Sequence, residues 1–65
     1  MNLPLITKFK EEDTKLKLNL KDERFFTGKV KDFDEKSLVF VDKFGNEMLI
    51  DFDSIAYMIP VRRED

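Results

Sequence analysis

Two residue types that commonly build chemical sites are missing from this chain, which contains no cysteine and no histidine. A disulfide framework is therefore excluded, and so is a zinc site with thiolate or imidazole ligands. No apolar run approaches the roughly 18 residues of a membrane-spanning helix. The start of the chain lacks the basic leader, long apolar stretch and small-residue cleavage site of a signal peptide. We therefore expect a cytoplasmic protein with no membrane association.

The residues available for catalysis are equally few. The sequence has no glycine-rich nucleotide loop and no motif that pairs a serine or threonine with a general base. Asp32, Asp34 and Glu35 form a carboxylate cluster of a kind that can hold a hard metal ion or act as an acid–base pair. Without a companion motif we interpret it as turn chemistry, with Asp34 accepting hydrogen bonds that fix its loop. We expect no enzyme activity, no cofactor and no metal.

The chain is also short, at 65 residues. A chain of this length buries only about 60% of the surface that its unfolded form exposes. Its core alone rarely supplies more than roughly 3–5 kcal/mol, so small domains add disulfides, a metal or a partner subunit. Of these additional sources of stability, self-association is the one that remains for this chain.

Charge gives no strong signal for a partner. Twelve basic and 14 acidic residues are mixed along the chain, with a formal net charge of −2, so nucleic-acid binding would need a local basic patch. The first two predicted strands carry such a set of cations: Lys17, Lys21, Arg24, Lys29 and Lys31. Alternating basic and acidic residues are also typical of a solvated strand face, and this alternative stays open.

A short helix is predicted at the start of the chain. Leu5, Ile6 and Phe9 fall close together on one helical face. Pro4 suits a first helical turn, where its missing N–H has no helical partner to lose. The pattern predicts a helix over about residues 3–12.

The rest of the chain has the two-residue period of strands. Leu16, Leu18 and Leu20 alternate with polar residues, which indicates a half-buried first strand. Gly28 lies in the middle of the second predicted strand, where the backbone can bend sharply. The remaining strands are predicted at 37–42, 47–52 and 55–60. We expect one mostly β domain over 1–65: a short N-terminal helix, a five-stranded, strongly bent antiparallel barrel over about 15–61, and a charged tail at 62–65.

Several motifs resemble the Sm-like (LSm) family and its Hfq-like members. Gly28-Lys29-Val30-Lys31-Asp32-Phe33-Asp34 is similar to the family's first motif, which has a glycine, an apolar residue two positions on, and an aromatic-Asp pair. Leu16 to Asp22 resembles the first strand and turn. The last strand of Hfq is similar to Ser54 through Arg62, with its apolar residues, proline and following arginine.

The resemblance implies a ring of six or seven subunits, closed by pairing the fourth strand of one subunit with the fifth strand of its neighbour. Such a ring removes exposed strand edges and buries apolar surface. The candidate interface residues are Met48, Ile50, Tyr57 and Met58.

The resemblance also implies single-stranded RNA as the partner, with uridine-rich ends at the pore and adenine-rich stretches on the opposite face. This chain departs from the family at the pore, because Asp51-Phe52 stands where relatives carry basic residues, and a ring of Asp51 would repel phosphate. Lys36 and Phe52 could still supply a cation and a stacking surface there. On the opposite face the matching positions include Phe25 and Thr27. Asn19, Tyr57, Lys21 and Arg24 are further candidates for this face.

Phe25 is the central residue of this hypothesis. Phe26 shares the inward parity of Gly28 and Val30, so Phe25 is predicted to point out of the barrel as a stacking platform or an interface contact. The sequence thus favours an Hfq-like RNA chaperone or post-transcriptional regulator. The alternative is an Sm-like or SH3-like barrel that serves as a protein-interaction or scaffold module without RNA binding.

Overall fold

The computed structural model describes residues 2–61, which form one helix followed by five strands and a single 3-10 turn. The charged tail predicted at 62–65 lies outside the described residues. The order of elements is α1 (Leu3–Glu11), β1 (Leu16–Leu20), β2 (Phe25–Phe33), β3 (Ser37–Asp42), β4 (Glu47–Asp51), the 3-10 turn (Phe52–Ser54) and β5 (Ile55–Pro60). The predicted mostly β architecture is confirmed.

The helix begins with a side-chain cap. The Oδ1 atom of Asn2 accepts a hydrogen bond from the backbone N–H of Leu5 at 3.0 Å, which satisfies one of the free donors of the first turn. Pro4 occupies that turn, as predicted. Helix α1 ends at Glu11, one residue earlier than expected, and buries Ile6 and Phe9 against the sheet.

Strand β1 lies in the interior of the sheet and pairs antiparallel with both β2 and β5. Its inward side chains, Leu16 and Leu18, are fully buried, whereas Lys17 and Asn19 lie on the other side. The alternation read from the sequence therefore gives the correct face. The complete strand order is β4-β3-β2-β1-β5, so β4 and β5 form the two edges of the sheet.

Gly28 lies directly against the backbone of β3. A Cβ atom at this position would overlap the carbonyl oxygen of Val41 and lie 2.7 Å from the Cα of Asp42. The pairing of β2 with β3 also shifts between Val30 and Asp32, and such an irregularity bends and twists a strand. The bent sheet thus depends on the small residue and on the shift beyond it.

The core lies between α1 and the inward-facing side chains of the sheet. Partly buried side chains, Phe26 and Phe33 among them, pack around it. Its buried members are Ile6, Phe9, Leu16, Leu18, Leu20, Val30, Leu38, Phe40, Ile50 and Ile55. Among residues 2–61, no helix is long and apolar enough to cross a bilayer.

Asp34 holds the turn between β2 and β3. Its Oδ1 atom accepts hydrogen bonds from the backbone N–H groups of Lys36 at 2.8 Å and Ser37 at 2.9 Å. The bond from Lys36, followed by that from Ser37, holds the pKa of the Asp34 carboxyl below its ordinary value. This confirms the structural role expected for Asp34. Within the described part of the chain, no group of three or more acidic or other ligating residues is arranged to hold a metal ion.

Candidate nucleic-acid interface

Cross-strand pairing places three candidate residues in one row on the solvent side of β2, β1 and β5. Asn19 pairs with Phe25 on one side and with Tyr57 on the other. Directly paired residues of antiparallel strands project from the same face of a sheet. Phe25 is 57% exposed and Tyr57 55% exposed, so both rings are open to solvent. We call this surface the outer face, and the outward orientation predicted for Phe25 is confirmed.

A second row of the outer face lies beside the first. Lys17 pairs with Thr27 on β2 and with Ile59 on β5. The ammonium group of Lys17 lies 4.6 Å from the centre of the Phe25 ring, within the range of a cation–π interaction. A positive charge and an aromatic ring therefore lie in direct contact on this face.

Asn19 has a side-chain donor without a partner. Its Nδ2 atom is buried, and no hydrogen-bond acceptor among residues 2–61 is within reach. A buried polar group left without a partner costs about 1–3 kcal/mol. The middle of the row thus holds a buried N–H donor without a partner, between two residues whose aromatic rings are exposed.

Lys21 and Arg24 lie at the turn between β1 and β2. Arg24 Nε donates to Asp22 Oδ2 at 2.7 Å, and the backbone N–H of Arg24 donates to Asp22 Oδ1 at 3.1 Å. The backbone hydrogen bond is the main cause that lowers the pKa of Asp22. The backbone N–H of Lys21 donates to the carbonyl of Ser54 at 3.0 Å, next to the acidic Asp53. This end of the outer face therefore carries charges of both signs.

The other cations of the first two strands are paired as well. Lys29 contacts Asp13 at 2.8 Å and Lys31 contacts Glu47 at 2.9 Å, in both cases between exposed side chains. Such pairs contribute little to stability, but they offset the charge that a phosphate would meet. For these two lysines the structure favours the alternative of a solvated strand face.

The sequence analysis did not identify the aromatic residue at the tip of the β3–β4 turn as a candidate binding residue. Phe44 is 78% exposed, and the ammonium of Lys43 lies 5.3 Å from the centre of its ring. The carboxylate of Asp42 fixes the turn by accepting from the backbone N–H groups of Phe44 and Asn46, each at 2.9 Å. Turns favour glycine, proline, asparagine, aspartate and serine, so a phenylalanine between Lys43 and Gly45 was the available signal.

Comparison with known proteins settles the fold. No protein-family model matches the chain, and no curated protein matches its sequence. Among solved structures, an Hfq described as a pleiotropic translational regulator superposes with a TM-score of 0.82 at 17% identity, covering 89% of this chain and 93% of that one. An Hfq from Anabaena sp. gives 0.79 at 19% identity, covering 91% and 93%. This chain has the Sm-like fold of Hfq.

The Hfq-like fold agrees with the resemblance read from the Gly28–Asp34 motif and from the ending of the chain. At these identities the likeness shows the fold, and the roles of individual residues must be argued from their own geometry.

The pore-side candidates of the Hfq-like fold lie next to each other. The backbone N–H of Phe52 donates to the carbonyl of Lys36 at 2.9 Å, and Ser37 pairs with Asp51 across β3 and β4. The Phe52 side chain is half-buried against the core, whereas Asp51 and Lys36 are exposed. This corner therefore presents a carboxylate beside a cation, with little aromatic surface free for stacking.

The candidate interface residues lie on the two edge strands of the Hfq-like fold. On β4, Ile50 is only 8% exposed and packs in the core of its own chain, and Met48 is partly buried against that core. On β5, Met58 is half-buried and Tyr57 is exposed. Their assignment to an interface stays a prediction. Leu49 on β4 is 75% exposed and was missed as a candidate interface residue. The period of two along 47–51 places its side chain on the other face of β4 from that of Ile50.

Proposed function

We propose that this chain is an Hfq-like, ring-forming protein that binds single-stranded RNA on its outer face, as an RNA chaperone or post-transcriptional regulator. The observation that carries the proposal is the row Phe25, Asn19, Tyr57. Unpaired bases stack on exposed aromatic rings and form hydrogen bonds through their edges. The row combines two such rings with an unused amide donor.

The unpartnered amide supports RNA over an apolar partner. A base edge carries acceptors, and the amide of Asn19 can donate to one of them once its side chain turns outward from its buried position. Forming that bond removes the cost of the buried free donor. The ammonium group of Lys17 lies over the Phe25 ring, so a phosphate of the same RNA molecule can approach it there. Stacking, base-edge bonding and phosphate attraction thus converge within two rows of one sheet.

The edges of the sheet support the ring. Strands β4 and β5 each have a side that no strand of the described chain covers. Pairing β4 of one subunit with β5 of the next satisfies both edges, and a closed ring of six or seven subunits leaves none free. Met48, Ile50, Tyr57 and Met58 lie on these strands and are the proposed interface residues. Repetition of the outer face around the ring would add avidity for a long RNA.

The second candidate function is a protein-interaction or scaffold module without RNA binding. It is favoured by the net charge of −2, which opposes binding of phosphate. The carboxylate of Asp51 acts in the same direction, because it offsets the positive charge of the nearby Lys36. This second function is also favoured by exposed apolar side chains on the edge strands, Leu49 and Ile59. For either function we propose a cytoplasmic protein, since a chain without cysteine needs no oxidising compartment.

Fluorescence anisotropy with labelled adenine-rich and uridine-rich RNA tests the proposal, at low and at physiological salt. We expect the adenine-rich strand to bind, with an affinity that falls steeply as salt rises because phosphate contacts release counterions. Phe25→Ala should weaken binding by about 1–3 kcal/mol for each stacked base. Leu5→Ala, which removes an exposed apolar side chain on α1, is the matched control and should bind as the native protein does.

Size-exclusion chromatography with light scattering should show that each variant keeps the native assembly. Unchanged affinity of Phe25→Ala would reject the outer face as the RNA site. A preference for uridine would place binding at Lys36 and Phe52 instead. Absence of binding to both strands would favour the protein-interaction module.

A further inference from the structure

The outer face continues beyond β2 to the β3–β4 turn. A cavity of about 110 Å³ lies between them, bordered on the β2 side by Phe25, Phe26 and Thr27 and on the turn side by Asp42, Lys43 and Phe44. The backbone N–H of Lys43 donates to the carbonyl of Thr27 at 2.9 Å, which ties the turn to β2. The two most exposed phenylalanine rings of the described chain therefore border one recess.

Each of these two rings carries its own cation. Lys17 lies 4.6 Å from the centre of the Phe25 ring, and Lys43 lies 5.3 Å from the centre of the Phe44 ring. Lys43 belongs to the β3–β4 turn and borders the cavity itself, whereas Lys17 belongs to β1 and reaches the cavity through its contact with Phe25. An aromatic ring beside a cation suits a base with its phosphate, because the ring stacks on the base and the ammonium meets the phosphate.

The acidic residue at the cavity is engaged by the turn. Asp42 accepts hydrogen bonds from the backbone of Phe44 and from the backbone and side chain of Asn46. The backbone bond from Asn46 is the main cause that lowers the pKa of the Asp42 carboxyl. Its negative charge is thus directed at N–H donors of the turn. Lys43 at the cavity and Lys17 beside Phe25 form no ion pair with any of residues 2–61.

From this geometry we propose that Phe25 and Phe44 form a clamp that takes one unpaired nucleobase into the cavity between them, with Lys17 and Lys43 receiving the adjacent phosphates. The inference rests on the proposed RNA function and extends it. In this arrangement the bound RNA runs from Phe25 on β2 to Phe44 in the β3–β4 turn. A clamp built on ring faces accepts any base, so it adds affinity without adding sequence preference.

A fluorescent reporter at position 44 tests the contact directly. The chain contains no tryptophan, so Phe44→Trp introduces a unique emission signal at the tip of the turn. We expect adenine-rich single-stranded RNA to quench this emission through stacking. Leu5→Trp, at an exposed position of α1, is the control and should keep its emission. Equal responses of the two tryptophans to bound RNA would overturn the clamp.

Affinity variants separate the clamp from the proposed function. Phe44→Ala and Phe44→Leu should each weaken RNA binding by about 5- to 140-fold, the equivalent of one lost stacking contact, whereas Phe44→Tyr should retain it. Native affinity in Phe44→Ala together with weakened binding in Phe25→Ala would reject the clamp and leave the outer face as the RNA site. Failure of the native protein to bind RNA would reject both.

Discussion

Gly28 is the position where the fold leaves no room for a side chain. Its neighbours are backbone atoms of β3, the Val41 carbonyl and the Asp42 Cα, so a flexible side chain cannot move aside to relieve a clash. The residue does not adopt a positive φ angle, and the need for glycine here is therefore steric. Adding a single Cβ by Gly28→Ala must push β2 and β3 apart.

The size of the effect follows from that geometry. Overpacking a close contact costs about 1–3 kcal/mol, and each strand hydrogen bond lost as the pair separates adds about 1 kcal/mol. We therefore expect Gly28→Ala to lower the free energy of unfolding by about 2–4 kcal/mol. A domain of this size rarely has more than roughly 3–5 kcal/mol in its core. Gly28→Val, with two further methyl groups, should not fold.

Urea denaturation followed by far-UV circular dichroism measures this loss, at one fixed protomer concentration because assembly also stabilises the fold. Thr27→Val is the control matched to Gly28→Val. It introduces the same valine side chain one residue earlier on β2, where a branched residue is already present. Its midpoint should stay close to native. A native midpoint for Gly28→Ala would mean that β2 and β3 do not approach as described.

Two further predictions concern the turn at Asp34 and the seam between helix and sheet. Because the folded-state pKa of Asp34 lies below the ordinary 3.8, its hydrogen bonds stabilise the fold above that pH, and this contribution is lost as the pH falls through the lowered value. Asp34→Asn should thus lower the urea midpoint at neutral pH, and the difference from native should shrink below pH 3.8; a constant difference would contradict this role. Ile6→Ala should cost about 2–5 kcal/mol of unfolding free energy, against at most about 0.5 kcal/mol for the exposed neighbour Leu5→Ala. Equal losses in the two variants would show that α1 does not pack on the sheet as described.

The parts of the fold that follow a simple period were predictable. The alternation of Leu16, Leu18 and Leu20 identified the inward face of β1 because one side of an antiparallel sheet is buried and the other is solvated. The same parity argument placed Phe25 outside. Helix α1 was found from Ile6 and Phe9, although the cap that starts it, the Asn2 side chain, was not considered.

The candidate site was less predictable because it depends on relations between strands. The row of Phe25, Asn19 and Tyr57 requires the registers of β1 with both β2 and β5, and pattern alone does not fix these registers. The unpartnered state of the Asn19 amide is likewise visible only once every nearby acceptor has been placed. Sequence could nominate these three residues, but it could not show that they are adjacent.

The edge strand β4 shows the limit of choosing residues by hydrophobicity. Ile50 and Leu49 have nearly the same chemistry, yet one is buried and the other is exposed. Their difference comes from pairing with β3, where Ile50 is opposite the buried Leu38 and Leu49 is opposite Val39. Phe44 escaped notice for a related reason, since its importance arises from the contact between its turn and β2.

The strand order also constrains how the protein can be made. Strand β1 pairs with β5, and this pairing joins Leu16 to Pro60. During synthesis at about 5–20 residues per second, β1 emerges early but cannot be paired on both sides until β5 has been translated. Contacts between residues so distant in sequence slow folding. Completion of the sheet therefore waits for β5, and until β5 has been made the partial chain carries a leucine-rich strand that is paired on one side at most.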